Sequence, residues 1–229
     1  MGEMVEFPSN GATGGGYLAP AHEGAGLGVV VVQEWWGLVD HIVDVCDRFA
    51  AEGFTALAPD LYHGKTVPNG EPDEAVKALM AMDLERAAHD LSGAVDFLQA
   101  HDTVRGHGVA VVGFCMGGGL ALWVATLRPD AVRAAVPFYG IAPDGAEPDW
   151  SALTAAVEGH FAEHDDRASP EAVAALEERL TELGKEVRVF SYPGTSHAFF
   201  NDTRPEVYDE DAARQAWVRT LEFLRAKLG

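Results

Sequence analysis

From Gly28 onward the chain alternates two hydrophobic periods. Residues 29–33, 54–58, 109–114, 132–139, 155–162 and 187–192 are apolar runs of strand length, and the first four are nearly continuous. A strand covered on both faces has that signature, because neither side of its pleat meets water. Between these runs, residues 38–52, 84–100, 117–127, 170–184 and 207–227 carry apolar positions at helical spacing; in the second, Leu84, Ala87, Ala88, Leu91, Ala94, Val95 and Leu98 form one face. Strand then helix, repeated, predicts an α/β fold with a mostly parallel, doubly wound sheet and helices on both faces. Ahead of it, Met4 to Ala19 reads as two short strands around Ser9-Asn10-Gly11, an antiparallel hairpin at one sheet edge with Asn-Gly as its turn. No Pro-, Gly- or Ser-rich linker and no internal repeat divides the sequence, so one domain over residues 1–229 is expected. The longest loops, 62–73 and 141–151, both follow strand carboxyl ends, the edge where open α/β sheets bind ligands.

One of these strand ends carries a chemical signature. Val109 to Phe114 runs into Gly113-Phe114-Cys115-Met116-Gly117-Gly118-Gly119 and then into a helical pattern. A strand turning sharply into a helix strains its turning residue, and small residues two before and two after let the chains pass. Gly113 and Gly117 hold those places. The side chain between them is thrown up at the sheet edge with a helix N-terminus beneath it, which suits an anionic sulfur. Cys115 is therefore the candidate nucleophile.

A nucleophile at such an elbow needs an acid and then a histidine later in the chain. His160, His164 and His197 all follow Cys115, but only His197 lies directly after the last predicted strand, on the Gly-containing loop Tyr192-Pro193-Gly194-Thr195-Ser196-His197. The acid should follow the preceding strand, where Glu163-His164-Asp165-Asp166-Arg167 stands; spacing leaves Asp165 and Asp166 both open. Glu34 closes the apolar run Val29 to Gln33 and is followed by Trp35 and Trp36, so a carboxylate is aimed at the same edge. The loop beyond this strand ordinarily supplies one oxyanion-hole amide, which predicts a hole built from the N–H groups of Trp35 and Met116.

Composition narrows the partners. Sixteen basic against 36 acidic residues give a formal net charge of −20 over 229 residues, which repels phosphate backbones and anionic lipid; neither nucleic acid nor membrane is expected as a partner. Gly14-Gly15-Gly16 lacks a strand-to-helix setting and no P-loop lysine is present, so nucleotide binding is unsupported. The N-terminus shows no basic region followed by an apolar segment, and the two cysteines are unsuited to a disulfide framework, so a cytoplasmic setting is expected. Cys46 falls on the apolar stripe of the first helix and reads as core.

These motifs together resemble the dienelactone hydrolase (carboxymethylenebutenolidase) family of the α/β-hydrolase fold. Gln33-Glu34 with Trp36-Gly37, Ala58-Pro59-Asp60-Leu61-Tyr62, Gly113-Phe114-Cys115-Met116-Gly117-Gly118 and His197-Ala198-Phe199 match the family's motifs in order, so the likeness spans nearly the whole chain. The resemblance implies a Cys115, His197 and Asp165 triad, since the family's small-acidic-x-Asp element matches Ala162-Glu163-His164-Asp165. It also implies that Glu34 contacts the thiol and takes its proton when substrate binds. The implied reaction is hydrolysis of a lactone or activated ester through a thioester, needing neither a metal nor an organic cofactor. One position departs from the family: the arginine four residues after the histidine, which holds the substrate carboxylate, is Asn201 here. Arg86 and Arg204 are the candidates to replace it, and Trp36, Tyr62 and Phe199 join them as candidate substrate-binding residues. A broad-specificity small-ester carboxylesterase is the alternative, and a noncatalytic ligand-binding protein on the same fold is a more distant one. A small-molecule ester or lactone is the expected partner of a monomer or small homo-oligomer.

Overall fold

The computed structural model describes residues 2–142 and 147–229. Eight strands form one sheet: β1 (Glu3–Ser9), β2 (Ala12–Ala19), β3 (Gly26–Val32), β4 (Phe54–Pro59), β5 (Val104–Phe114), β6 (Val132–Phe138), β7 (Ala156–His164) and β8 (Val187–Ser196). Their spatial order is β1-β2-β4-β3-β5-β6-β7-β8. β3 to β8 run parallel, β2 is antiparallel to β4, and β1 pairs with β2 as the predicted hairpin. Asn10 and Gly11 at its tip both have positive φ, 44° and 79°, as a two-residue turn matching the strand twist requires.

The described residues form six α-helices, α1 (Asp40–Ala51), α2 (Pro72–Ala81), α3 (Leu84–Gln99), α4 (Met116–Leu127), α5 (Pro170–Glu182) and α6 (Glu210–Leu228), all but α2 packed on the sheet. Alternate residues of the central strands serve opposite layers. Val29, Val31, Ala110, Val112 and Phe114 pack with α1 and α6, whereas Val30, Val32, Val109 and Val111 pack with α3, α4 and α5. That two-sided burial is the physical reason these strands are apolar at every position. Among the described residues no helix is long and apolar enough to cross a membrane.

The periodicity misses α2. Only Ala75 of its ten residues is buried, so it lacks the apolar stripe that betrays a helix packed on a core. β5 and β8 are longer than predicted, because the polar start of β5 (Arg105 to His107) and the Pro-Gly end of β8 carry no hydrophobic signal. Within the predicted 141–151 loop, residues 143–146 lie outside the described residues, and Trp150–Ala152 form a short 3-10 turn.

The sequence order β3, β4 on one side and β5 onward on the other makes the carboxyl ends of β3 and β5 the topological switch point. Glu34, Trp35 and Cys115 leave the sheet there.

Candidate active site

Cys115 bridges β5 and α4 with φ 55° and ψ −120°, a conformation that costs a non-glycine residue about 1–3 kcal/mol and persists only where the surroundings enforce it. Two contacts enforce it. The Cys115 N–H donates to the Phe138 carbonyl at 3.0 Å, and its own carbonyl accepts from the Gly118 N–H at 2.9 Å. A Cβ at Gly113 would collide with the Gly117 carbonyl, and one at Gly117 would collide with the carbonyls of Val32 and Gln33. The glycines flanking the cysteine are thus required by close backbone approach.

His197 follows β8 and Asp165 follows β7, adjacent strands in the sheet. The imidazole Nδ1 lies 2.7 Å from Asp165 Oδ2, while Asp165 Oδ1 accepts the N–H groups of Arg167 at 2.8 Å and Ala168 at 3.1 Å. Burial opposes the Asp165 charge, but His197 and the two amides outweigh it and hold the carboxyl below its usual range. Burial also opposes a charged His197; its hydrogen bond to Asp165 and its charge interactions with Cys115 and Asp165 win and push it up to about 9. Asp166 is exposed and His164 faces solvent beside Glu163. His160 is a core residue, bonded to the Tyr192 hydroxyl at 2.9 Å and to Thr220 at 3.0 Å.

The His197 shift has a consequence for stability. Its pKa in the folded chain, about 9, exceeds the ordinary 6.5, so the fold binds the proton more tightly than the unfolded chain does. The associated stabilisation, about 1–3 kcal/mol, is fully present below pH 6.5 and declines as pH rises through 9. Urea midpoints measured from pH 6 to 10 should therefore fall across this window in the wild type, and the fall should be shallower in Asp165→Asn. Equal slopes in the two proteins would remove the coupling.

Glu34 is 1% exposed, and its carboxylate is held from two sides. Tyr139 donates its hydroxyl to Oε1 at 3.3 Å, and the Asn201 amide donates to Oε2 at 2.8 Å. Burial raises the Tyr139 hydroxyl pKa well above its usual value, and the neighbouring Glu34 charge adds to this, so Tyr139 stays a donor. The contact between Glu34 and the thiol that the resemblance implies is absent from the hydrogen bonds of the described residues; the carboxylate's partners are Tyr139 and Asn201.

A cavity of about 870 Å³ opens above Cys115, with Trp35, Met116, Tyr139, Arg167 and His197 among its lining residues. The Trp35 and Met116 N–H groups donate to no other described residue. Tyr62 stands just behind, its hydroxyl 3.8 Å from Met116 Sδ, and burial with the nearby Cys115 pushes its pKa up to about 12.

The remaining substrate-binding candidates need correction, since none of them lines this cavity. Asn201 is fully buried; its amide holds Glu34 and its Oδ1 accepts from the Thr203 N–H and hydroxyl, so no part of it faces a substrate. Arg86 is tied to Asp90 and to the Thr13 carbonyl beside the hairpin. Arg204 pairs with Glu206 and lies 5.8 Å over the Trp36 ring. Trp36 itself is buried against Val67 and Ala75, and Phe199 is buried against Tyr139 and Tyr192. Local sequence motifs carry no information on which way each side chain turns. Replacing Asn201 by leucine should destabilise the protein by about 1–3 kcal/mol, because a buried carboxylate loses its donor. Denaturant unfolding checks this, and an unchanged midpoint would make the bond dispensable.

Two site residues escaped the sequence analysis. Tyr139 sits just past β6 with φ 37°, its ring 5.2 Å from that of His197, and its position after a strand end was the available signal. Arg167 stacks its guanidinium 4.0 Å over the Trp35 ring at the cavity wall. Nothing in the sequence distinguishes it from a solvated arginine except its place two residues after Asp165. Cys46 is fully buried, and burial pushes its thiol well up, consistent with core filling.

Comparison with known proteins agrees with this architecture. The family model described as the dienelactone hydrolase family matches residues 15–228. Protein usf of Aquifex pyrophilus is 38% identical over 234 residues, covering 100% of both chains. A protein of Aquifex aeolicus named "Putative carboxymethylenebutenolidase" is 34% identical, again over 100% of both. The crystal structure of a dienelactone hydrolase-like promiscuous phosphotriesterase from metagenomic libraries superposes with a TM-score of 0.87 at 23% identity, covering 100% of this chain and 99% of that one, a likeness of fold. With the family matched across nearly its whole length and the mostly parallel sheet in place, the chain belongs to the dienelactone hydrolase family of the α/β-hydrolase superfamily and is a hydrolase acting on esters or lactones.

Proposed function

We propose that this protein hydrolyses lactones or activated esters through a thioester on Cys115, with His197 and Asp165 completing the triad in a single domain. The observation that supports this most is the pairing of His197 Nδ1 with Asp165 Oδ2 at 2.7 Å beside a cysteine held at φ 55° on a strand-to-helix elbow. In this reaction the Cys115 sulfur, as thiolate, attacks the carbonyl carbon, and the Trp35 and Met116 N–H groups donate to the resulting oxyanion. Collapse of that intermediate breaks the carbonyl carbon–oxygen single bond, and protonated His197 gives its proton to the departing oxygen. Neutral His197 then takes a proton from water, the hydroxide attacks the thioester, and the thiolate leaves with the carboxylic acid as product. Asp165 holds the imidazole by Nδ1 so that Nε2 faces the reaction, and it stabilises the cation formed in between.

Glu34 would be held in its place in this scheme by Tyr139 and Asn201. The guanidinium of Arg167, in place of the family arginine missing at Asn201, is the cation available to a carboxylate on the substrate. Rapid acid quenching during turnover of p-nitrophenyl acetate, followed by mass spectrometry of the digested protein, should find one acetyl group on the peptide containing Cys115. Acetyl label elsewhere, or product release without any labelled peptide under burst conditions, would overturn the thioester route.

A further inference from the structure

Resting on the thioester reading above, we propose that the cavity beside Cys115 contains an acyl-chain subsite that takes a hydrophobic acyl arm of about six to eight carbons. The substrates would then be amphipathic esters larger than a simple lactone. Away from the nucleophile the wall is apolar: Leu79, Met82, Leu84, Leu120, Trp123 and Ile141 line it. At about 870 Å³ the space is near the upper end of the roughly 300–1,000 Å³ that accommodates drug-sized ligands, and a small ring lactone fills only a part of it. Met80 and Leu84, at the junction of α2 and α3, add large apolar side chains to the same wall while 82% and 56% exposed. Scattered exposed apolar residues are ordinary, but these two border a concave site that is continuous with the reacting sulfur.

The sheet order tells which part of the ester belongs there. The departing oxygen must meet His197, which arrives from β8, with Arg167 beside it from the end of β7. The apolar wall at Leu84 belongs to α3, which packs on β1 to β5 and so lies away from β7 and β8; Leu120 and Trp123 adjoin it from α4, which packs on β3, β5 and β6 and against α3. The leaving group therefore lies toward His197 and Arg167, and the acyl arm extends toward Leu84, Leu120 and Trp123.

Each methylene moved fully from water into such a wall multiplies affinity by up to about fourfold. Across p-nitrophenyl acetate, butanoate, hexanoate and octanoate, kcat/KM should rise at least tenfold from acetate to hexanoate. In Leu84→Glu, which puts a charge in the wall at a helix start that tolerates an acid, the hexanoate-to-acetate ratio should drop at least fivefold. A flat or falling series in an active wild type, or an unchanged ratio in Leu84→Glu, overturns the subsite. Binding of the unreactive amides butanamide to octanamide to the wild type, followed by tryptophan fluorescence, separates the two ideas. Affinity should increase at least tenfold along the amide series. If no ester turns over but the amides still bind more tightly with length, the thioester reading fails and the subsite stands; if esters turn over and neither series responds to length, the reverse holds.

Discussion

The Cys115→Ala protein is expected to lose hydrolysis of p-nitrophenyl acetate by about three orders of magnitude or more, and His197→Ala to lose as much. On the proposed route nucleophile and base act as one unit: without the sulfur no thioester would form, and without the imidazole neither the leaving oxygen nor the attacking water would exchange its proton. The double variant should therefore be scarcely worse than either single one. Alanine keeps a Cβ at φ 55°, so the strained elbow and its bonds to Phe138 and Gly118 remain, and the melting temperature should stay near that of the wild type. Steady-state rates with a thermal melt on the same samples make the comparison. A folded Cys115→Ala protein with wild-type turnover would eliminate covalent catalysis at this position.

Asp165→Asn should lower kcat/KM by roughly 10²–10⁴-fold, whereas Asp166→Asn should leave it within about threefold. The difference follows from how Asp165 uses both oxygens: Oδ2 accepts from His197 while Oδ1 accepts the N–H groups of Arg167 and Ala168. An asparagine has one acceptor oxygen. If that oxygen keeps the turn, the NH₂ group faces Nδ1 and selects the wrong imidazole tautomer; if it serves His197, the turn that presents Arg167 loses its acceptor. Asp166 is exposed and has no such bond, which is why its amide should be silent. Equal losses at both positions, seen in the same ester assay, would mean that orientation of His197 does not depend on Asp165.

Much of this could be read from residue order because the candidate site sits at strand ends, and strand ends are legible. Valine runs covered on both faces announce β3 and β5, and Gly113 and Gly117 announce the sharp turn between β5 and α4, since only glycine fits against the backbone there. α2 was invisible for the opposite reason: its single buried residue, Ala75, gives no periodic signal, although its end supplies part of the cavity wall.

The sequence by itself thus determined the α/β architecture, the elbow carrying Cys115, and the strand ends from which Glu34, Asp165 and His197 emerge, because each depends on local backbone sterics and on burial pattern. Tertiary structure alone decided what those side chains meet. Asn201 and Glu34 are 167 positions apart in the chain and 2.8 Å apart in the fold, and Arg167 found Trp35 across the same edge. Spacing left Asp165 and Asp166 both open and the family element Ala162-Glu163-His164-Asp165 implied Asp165; in the fold it is the Asp165 side chain that points inward from the turn after β7 to meet His197. Direction of a side chain is set by packing from distant elements, and spacing and periodicity along the chain do not encode it.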